Sequence, residues 1–277
     1  MDAGGWRCII NKTEYITGIL KIKPATPTQS IADRAGCTTA MVNHVRRSLM
    51  NKPIAKPKRV GVIADTHIPF EHPEYLQFCI DTFDRFNVDQ VVHIGDLIDH
   101  HASSRFQSEL CAMNVEEELK MAHKALKPWI KAFPELKLCL GNHDKIPVRQ
   151  AKLVGMPQSY MKTFKELYNL PNCWDVAPTH QIDGVHYDHG CGSGGMLGAK
   201  NTSLKMGCSY VQGHTHLHSG VYYNSNAQGK TTFGMNVGCG LDKDAYAANY
   251  AKDMRGEFTI GCGIVIEGRD GLFIPMK

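Results

Sequence analysis

The pattern of apolar and polar positions along the chain changes near residue 58. Before that point, residues 28–49 carry apolar side chains three and four positions apart, which is the spacing of an amphipathic helix. After it, short apolar runs rich in β-branched residues alternate with longer stretches of helical spacing. Alternation of this kind is typical of βαβ units, in which helices cover a sheet. The pattern therefore predicts a small helical module followed by a larger α/β domain.

The helical module predicts two short helices that are separated at Gly36. The apolar face of the first helix consists of Ile31, Ala32 and Ala35. The apolar face of the second consists of Met41, Val42, Val45 and Leu49. The stretch 51–58, NKPIAKPK, has two prolines and three lysines and no apolar periodicity, which indicates an exposed linker. We therefore predict two domains, residues 1–57 and residues 58–277.

Five apolar runs in the larger domain have the composition of buried strands. They are RVGVIAD, VDQVVHIGD, LKLCLGN, VHYDHG and SYVQGH. Helical stretches are predicted at 73–86 and 111–132, and the chain after about residue 209 is richer in strands. Runs that are apolar on both faces suit a sheet with both sides covered.

Each of these five runs ends in a polar cluster. The clusters are Asp65-Thr66-His67, Gly95-Asp96-Leu97-Ile98-Asp99, Gly141-Asn142-His143-Asp144, His189-Gly190 and Gly213-His214-Thr215-His216. The carboxyl ends of strands in an α/β sheet open onto the ligand crevice, so the five clusters can converge. Each cluster alone has an ordinary explanation as a helix cap or a turn. Five of them in this order favour a site for divalent metals, because imidazole, carboxylate and amide groups without thiolate suit such ions.

The order D-x-H, G-D-x-x-D, G-N-H-D, H-G and G-H-x-H resembles the calcineurin-like metallophosphoesterase superfamily over residues 58–277. The resemblance implies an α/β fold, an αββα sandwich of two mixed sheets, with two divalent metal ions at the strand ends. Mn²⁺ is the expected ion, with Fe, Zn or Ni as alternatives.

The resemblance also implies a role for each matching residue. One metal ion would be held by Asp65, His67, Asp96 and His216. The other would be held by Asp96, Asn142, His189 and His214, so that Asp96 bridges the two ions. His143 would act on the leaving group, oriented by Asp99. Asp144 in G-N-H-D is also what the double-strand-break repair nucleases of the superfamily show, which favours a nuclease.

The charge distribution separates the helical module from the rest of the chain. Residues 1–58 hold ten Lys or Arg against three Asp or Glu, a balance of +7, whereas the remainder has a balance of −3. Such a module is expected to meet a polyanion. Its two helices also resemble a helix-turn-helix, in which the second helix exposes residue types that contact DNA. These residues are Thr38, Thr39, Asn43, Arg46 and Arg47. The alternatives are a solvated basic tail and a helical prefix that packs on the larger domain.

Composition excludes several other classes of protein. No apolar run approaches the ~20 residues that span a bilayer, and the N-terminus lacks the pattern of a secretory signal. The ten cysteines include no C-x-x-C pair and are expected to be reduced. We therefore expect a cytoplasmic protein without a membrane partner, while its oligomeric state stays open.

These observations together favour a two-metal phosphodiesterase or nuclease that acts on DNA. One alternative is a phosphomonoesterase that acts on a phosphoprotein or a nucleotide. Another is a DNA-binding regulator with a vestigial esterase domain.

Overall fold

The computed structural model describes residues 11–23, 25–50, 58–104, 111–251 and 256–277. The chain divides into two compact units, Met1–Lys56 and Pro57–Lys277. Within the described ranges, no helix is both long enough and apolar enough to cross a membrane.

The described part of the first unit contains three helices: α1 (Lys12–Ile22), α2 (Thr28–Ala35) and α3 (Thr39–Met50). They enclose a small core of their own that consists of Ile16, Leu20, Ile31, Ala32, Val42 and Val45. Gly36 ends α2 in the left-handed conformation with φ of 57°, where a residue without a Cβ is favoured.

Helix α1 was not among the predicted elements. Its sequence, KTEYITGILKI, contains a glycine and several β-branched residues, which lower intrinsic helix propensity. The helix forms because Ile16 and Leu20 are buried against the other two helices. Tertiary packing therefore outweighs local propensity here.

The second unit contains eleven strands among its described residues. They are β1 (Arg59–Ile63), β2 (Gln90–His93), β3 (Leu136–Cys139), β4 (Trp174–Ala177), β5 (Thr179–Ile182), β6 (Val185–Asp188), β7 (Ser209–Gln212), β8 (Ser219–Ser225), β9 (Thr231–Val237), β10 (Gly261–Ile266) and β11 (Asp270–Pro275). Its helices are α4 (Tyr75–Phe86), α5 (Val115–Ala132), α6 (Ile146–Leu153), α7 (Phe164–Tyr168) and α8 (Gly198–Met206). Short 3₁₀ turns lie at His101–Ser103, Gln158–Tyr160 and Tyr246–Ala251.

The strands form two mixed sheets. The six-stranded sheet has the order β11-β10-β1-β2-β3-β4, and the five-stranded sheet has the order β5-β6-β7-β9-β8. Strands β1 to β4 run parallel, as do β6, β7 and β9, and the remaining strands pair antiparallel. Val62 of the first sheet and Met235 and Val237 of the second belong to one buried core. The predicted two-sheet α/β fold is confirmed.

Strands β4 and β5 were also missed by the sequence prediction. They are only four residues each and include Asp175, His180 and Gln181, residue types that are uncommon in buried strands. Pro178 lies between them and cannot donate a ladder hydrogen bond. Strand β4 forms the edge of the larger sheet, where polar side chains can reach solvent.

Tyr75, the first residue of α4, connects that helix to the ends of two strands. Its side chain is buried, and its hydroxyl accepts a hydrogen bond from Ala64 N at 2.9 Å and donates one to Gly261 O at 2.8 Å. One hydroxyl therefore satisfies two main-chain groups that water does not reach. The contact lies directly before Asp65 in the chain.

We predict that Tyr75→Phe lowers the free energy of unfolding by about 1–3 kcal/mol, because it leaves a buried N–H and a buried carbonyl without their partner. The matched control is Tyr160→Phe, since Tyr160 is 78% exposed. Chemical denaturation of the two variants and the wild type measures the difference. Equal midpoints for Tyr75→Phe and Tyr160→Phe would contradict this role of Tyr75.

Candidate metal centre

Every predicted metal ligand lies in a loop that follows the carboxyl end of a strand. Asp65 and His67 follow β1, Asp96 follows β2, Asn142 follows β3, His189 follows β6, and His214 and His216 follow β7. Because β1, β2 and β3 are parallel in one sheet and β6 and β7 are parallel in the other, the loops of each sheet emerge at one edge. The topology therefore gathers residues that are up to 151 positions apart.

The gathered side chains form three overlapping groups of possible ligands. The groups are Asp65 with His67 and His216, Asp96 with His189 and His214, and His67 with Asp96 and His143; within each, the ligand atoms lie within 4.8 Å of one another. The Oδ1 atom of Asn142 lies 3.0 Å from His189 Nε2. The structure thus brings all seven predicted ligands together, with Asp96 between the two sides.

The donor atoms of this site fit divalent cations. Asp65 and Asp96 are 0% and 1% exposed, and a buried carboxylate is costly without compensating charge. Asp65 Oδ1 and His189 Nδ1 lie 3.8 Å apart, and both are buried without a hydrogen-bond partner among the described residues. The chemistry of the set, with carboxylate, imidazole and amide groups, is that of Mn²⁺, Fe or Zn sites.

The carboxylates make the site attractive to positive charge. Burial lowers the pKa of His189, but the charges of Asp96 and Asp65 outweigh it and raise that pKa to about 9. Burial raises the pKa of Asp96, yet His189 and His143 hold it well below its usual range. A metal ion would compete with protons for the same imidazole nitrogens, as is usual for histidine ligands.

Asp99 orients both His67 and His143, through different atoms. Its Oδ1 lies 2.6 Å from His67 Nδ1, so Nδ1 carries the proton and Nε2 keeps a lone pair for a metal. The main-chain carbonyl of Asp99 accepts a hydrogen bond from His143 Nδ1 at 2.6 Å, while Asp99 Oδ1 lies 3.4 Å from that nitrogen. The predicted pairing of Asp99 with His143 therefore runs chiefly through a backbone oxygen.

His143 is placed to hold a proton at the edge of the site. Burial lowers the pKa of its ring, but the charge of Asp96 and the hydrogen bond to Asp99 raise it to about 10. His143 is half-buried, in contrast to the buried predicted ligands Asp65, Asp96 and His189. Nδ1 is engaged with a carbonyl, so Nε2 is the atom available to a substrate.

Glycines in the motifs make room for the carboxylates. A Cβ at Gly141 would lie 2.0 Å from Asp96 Oδ1, and a Cβ at Gly213 would lie 2.0 Å from Asp65 Oδ1. Both distances are far inside van der Waals contact. The glycines of G-N-H-D and G-H-x-H are therefore required by the close approach of backbone to ligand.

Three of the predicted ligands have a left-handed backbone that only glycine adopts easily. The φ angles of His67, Asp96 and His214 are 52°, 48° and 64°. Such conformations cost energy for residues with a Cβ and are concentrated at functional sites. The loops hold these ligands in place partly through the carboxylates themselves, since Asp65 Oδ2 accepts from His214 N and Asp96 Oδ1 accepts from His143 N, both at 2.7 Å.

Asp144 ties two of the loops together. Its carboxylate is buried and accepts hydrogen bonds from Gly141 N at 2.8 Å and Ile98 N at 3.1 Å. Burial and the nearby Asp96 raise its pKa to about 6. Asp144, whose residue type favours a nuclease on sequence grounds, therefore connects the loops after β2 and β3 through main-chain amides.

A second supporting network was missed at the sequence level. Gly95 N donates to His93 Nδ1 at 3.2 Å, so His93 Nε2 carries the proton and donates to Thr66 Oγ1 at 3.0 Å. The Thr66 hydroxyl then donates to Leu97 O at 3.0 Å. Burial lowers the pKa of His93 to about 3, so the ring stays neutral. The signal in the sequence is a histidine inside a strand that is otherwise apolar.

In the first unit, the five predicted DNA-contacting residues differ in exposure. Thr38, Thr39 and Arg47 are exposed, whereas Asn43 and Arg46 are half-buried. The Arg46 guanidinium donates to Thr26 O at 2.7 Å and to Thr28 Oγ1 at 2.8 Å. The prediction that the helix exposes all five is therefore wrong for Asn43 and Arg46, because Arg46 binds Thr26 and Thr28 and the Thr28 hydroxyl also donates to Asn43 Oδ1 at 3.4 Å.

The sequence profile of the calcineurin-like phosphoesterase family matches residues 58–206, more than half of the chain. This chain belongs to the calcineurin-like phosphoesterase family. Its members are metallophosphoesterases, hydrolases of phosphate esters that bind divalent metals. The matched range includes the loops with Asp65, Asp96, Asn142 and His189.

Relatives of the chain include two phage proteins. The Gene 54 protein of Mycobacterium phage D29 is 27% identical over 233 residues, which covers 75% of this chain and 88% of the relative. The Gene 54 protein of Mycobacterium phage L5 is 29% identical over 183 residues, which covers 57% of this chain and 69% of the relative.

Similar solved structures include Yfce, a phosphoesterase from E. coli, at 14% identity and a TM-score of 0.39, with 74% of this chain and 87% of that chain covered. Vacuolar Protein Sorting 29 from Cryptosporidium parvum is similar at 12% identity and a TM-score of 0.39, with 76% of this chain and 85% of that chain covered.

We predict that Gly141→Ala weakens metal binding roughly 10–100-fold, the range seen when groups that support ligands are displaced. The new methyl group must move Asp96 Oδ1, which it would otherwise meet at 2.0 Å. Gly194→Ala is the matched control, because a Cβ at Gly194 meets nothing within 4 Å. Calorimetric titration with Mn²⁺ gives the affinities. Wild-type affinity in Gly141→Ala would show that Asp96 does not need its present position.

Proposed function

We propose that this chain is a two-metal phosphodiesterase that acts on DNA. The observation that carries the proposal is that Asp96 belongs to two groups of possible ligand atoms, one with His67 and His143 and the other with His189 and His214. One ion is assigned to Asp65, His67, Asp96 and His216, and the other to Asp96, Asn142, His189 and His214. Mn²⁺ suits this combination of oxygen and imidazole donors without thiolate.

The charge of such a centre suits a phosphate ester. When bound, two divalent ions would supply Lewis acidity and an activated water. Their four positive charges exceed the two negative charges of Asp65 and Asp96, which leaves about two positive charges for an anionic substrate and the activated water.

His143 acts as the proton donor to the leaving oxygen in this proposal. Its Nδ1 donates a hydrogen bond to the Asp99 carbonyl, which leaves Nε2 as the atom that can give a proton to the leaving oxygen. The ring stacks edge-on against His67, with 4.7 Å between centroids, so the donor lies beside a metal ligand. General acid catalysis by a residue in this position typically contributes ~10²–10⁴-fold.

DNA is proposed as the substrate because of the first unit. Residues 1–58 have a balance of +7, while the rest of the chain has a balance of −3. Thr38, Thr39 and Arg47 are exposed at the start and along the surface of α3. Phosphate contacts from such residues orient a protein on duplex DNA, and base contacts can follow.

We predict that His143→Gln reduces cleavage of a thymidine dinucleotide by ~10²–10⁴-fold but slows bis(p-nitrophenyl) phosphate only a few-fold. A sugar hydroxyl needs a proton in order to leave, whereas nitrophenolate does not. Steady-state rates of the Mn²⁺-loaded proteins on both esters measure the difference, with the exposed His44→Gln as control. Equal losses on both esters would make His143 a structural residue or a ligand. Hydrolysis of monoesters alone would replace the diesterase with a phosphomonoesterase.

We predict that Arg47→Ala weakens binding of duplex DNA several-fold and makes the slope of log K against log salt shallower by about 0.9, the value for one phosphate contact. Arg85→Ala is the matched control, because Arg85 is an exposed arginine of α4 in the second unit. Fluorescence anisotropy of a labelled duplex at several salt concentrations gives both quantities. An unchanged affinity and slope for Arg47→Ala would remove α3 from the DNA interface.

A further inference from the structure

Three aromatic side chains lie together beside the candidate metal centre. The ring centroids of Phe70 and Tyr246 are 4.9 Å apart, those of His101 and Tyr246 are 5.2 Å apart, and those of Phe70 and His101 are 6.4 Å apart. All three pairs pack edge to face. We call Phe70, His101 and Tyr246 the aromatic platform.

Each residue of the aromatic platform is also fixed by contacts outside the platform. Phe70 is buried in a satellite core with Cys239 and Leu241. The Tyr246 hydroxyl accepts a hydrogen bond from Met113 N at 3.2 Å. The main-chain N–H of His101 donates to Glu118 Oε1 at 2.8 Å, which fixes the turn that carries the imidazole. Little side-chain entropy is therefore left to lose when a ligand stacks on these rings.

The platform adjoins the residue that orients the proton donor. His101 Nδ1 lies 3.8 Å from Asp99 Oδ2, and Asp99 O accepts the hydrogen bond from His143 Nδ1 at 2.6 Å. His143 is the proposed donor to the leaving oxygen, so Asp99 links the platform to the residue that would contact the leaving group. His101 and Tyr246 are half-buried, and the His101 side chain is 17% exposed.

We infer that the aromatic platform stacks the base of the leaving nucleoside, with Tyr246 as the residue that determines this specificity; the inference rests on the proposed diesterase function. Aromatic rings bind single-stranded nucleic acid by stacking on successive bases, and every base offers a face for this contact. The reaction mechanism itself does not require Tyr246. The contacts of Tyr246 within the platform and with Met113 hold the residue in place. They do not explain why it is left partly exposed.

The test compares two substrates that differ only in one base. One is a thymidine dinucleotide, and the other is the same diester with a tetrahydrofuran residue in place of the leaving nucleoside. Tyr246→Ala should raise KM for the first roughly tenfold, with kcat changed far less, because stacking contributes binding and no chemistry. For the abasic diester, wild type and Tyr246→Ala should have equal KM. Tyr246→Phe keeps the ring and should behave as wild type.

Two further variants keep the result interpretable. Tyr246→Leu retains apolar volume without an aromatic face and replaces Tyr246→Ala if thermal melting shows that the alanine variant is unfolded. Tyr223→Ala, at a tyrosine of β8 that is 50% exposed, controls for the loss of a surface ring. An unchanged KM on the dinucleotide, or equal losses on both diesters, would overturn the inference.

A binding measurement tests the platform separately from the proposed diesterase function. Calorimetry measures binding of the thymidine dinucleotide to Mn²⁺-loaded His143→Gln protein, with and without Tyr246→Ala. If no diester is hydrolysed by the wild type, the proposed function fails. A roughly tenfold weaker binding on loss of Tyr246 would then still support the platform, and unchanged binding would overturn it.

Discussion

Two buried carboxylates, Asp65 and Asp96, are the constraint on which the rest of this site depends. Both are nearly inaccessible to water, where an uncompensated negative charge is costly. One oxygen of each accepts a main-chain N–H, from His214 and His143 respectively. The remaining charge draws imidazoles toward it and leaves donor atoms that a divalent cation would satisfy. The loops and hydrogen bonds around the site allow these two charged side chains to stay buried.

The two-sheet fold meets this constraint by bringing strand ends of both sheets to one place. The loops after β1 and β2 supply the carboxylates, and the loops after β6 and β7 supply imidazoles from the other sheet. The close approach of the backbone to the carboxylates requires glycine at positions 141 and 213, and three of the predicted ligands adopt a left-handed backbone. Hydrogen bonds between loops, such as those that Asp144 accepts, stabilise this strained backbone. The hydrogen bond between the neutral His93 and Thr66 adds to them. The surrounding structure thus stabilises strained conformations that fix the positions of the predicted ligands.

Much of this arrangement could be predicted from the sequence, because strand-end position and residue type are both visible there. D-x-H and G-H-x-H follow apolar runs, and parallel strands place such loops at one edge of a sheet. What a pattern of side chains does not show is the use of main-chain atoms. His143 is oriented by a carbonyl of Asp99, and Asp144 acts on two amides. Neither contact depends on a residue type that could be recognised at the partner position.

The remaining differences come from packing that local pattern does not determine. Helix α1 forms in a sequence of modest helix propensity because its two buried residues complete a three-helix core. Arg46 has the residue type of a DNA contact, but Thr26 O and Thr28 Oγ1 lie within reach of its guanidinium and engage it. Charge composition alone therefore identifies a basic module and leaves open which cations face outward.

The proposed function depends most directly on the sharing of Asp96 by two metal ions. Equilibrium dialysis against Mn²⁺, with metal and protein quantified in the same samples, gives the number of ions bound per chain. We expect two ions for the wild type and at most one for Asp96→Asn, with a melting curve that shows the variant to be folded. A wild type that saturates at one ion, or an Asp96→Asn variant that still binds two, would contradict it.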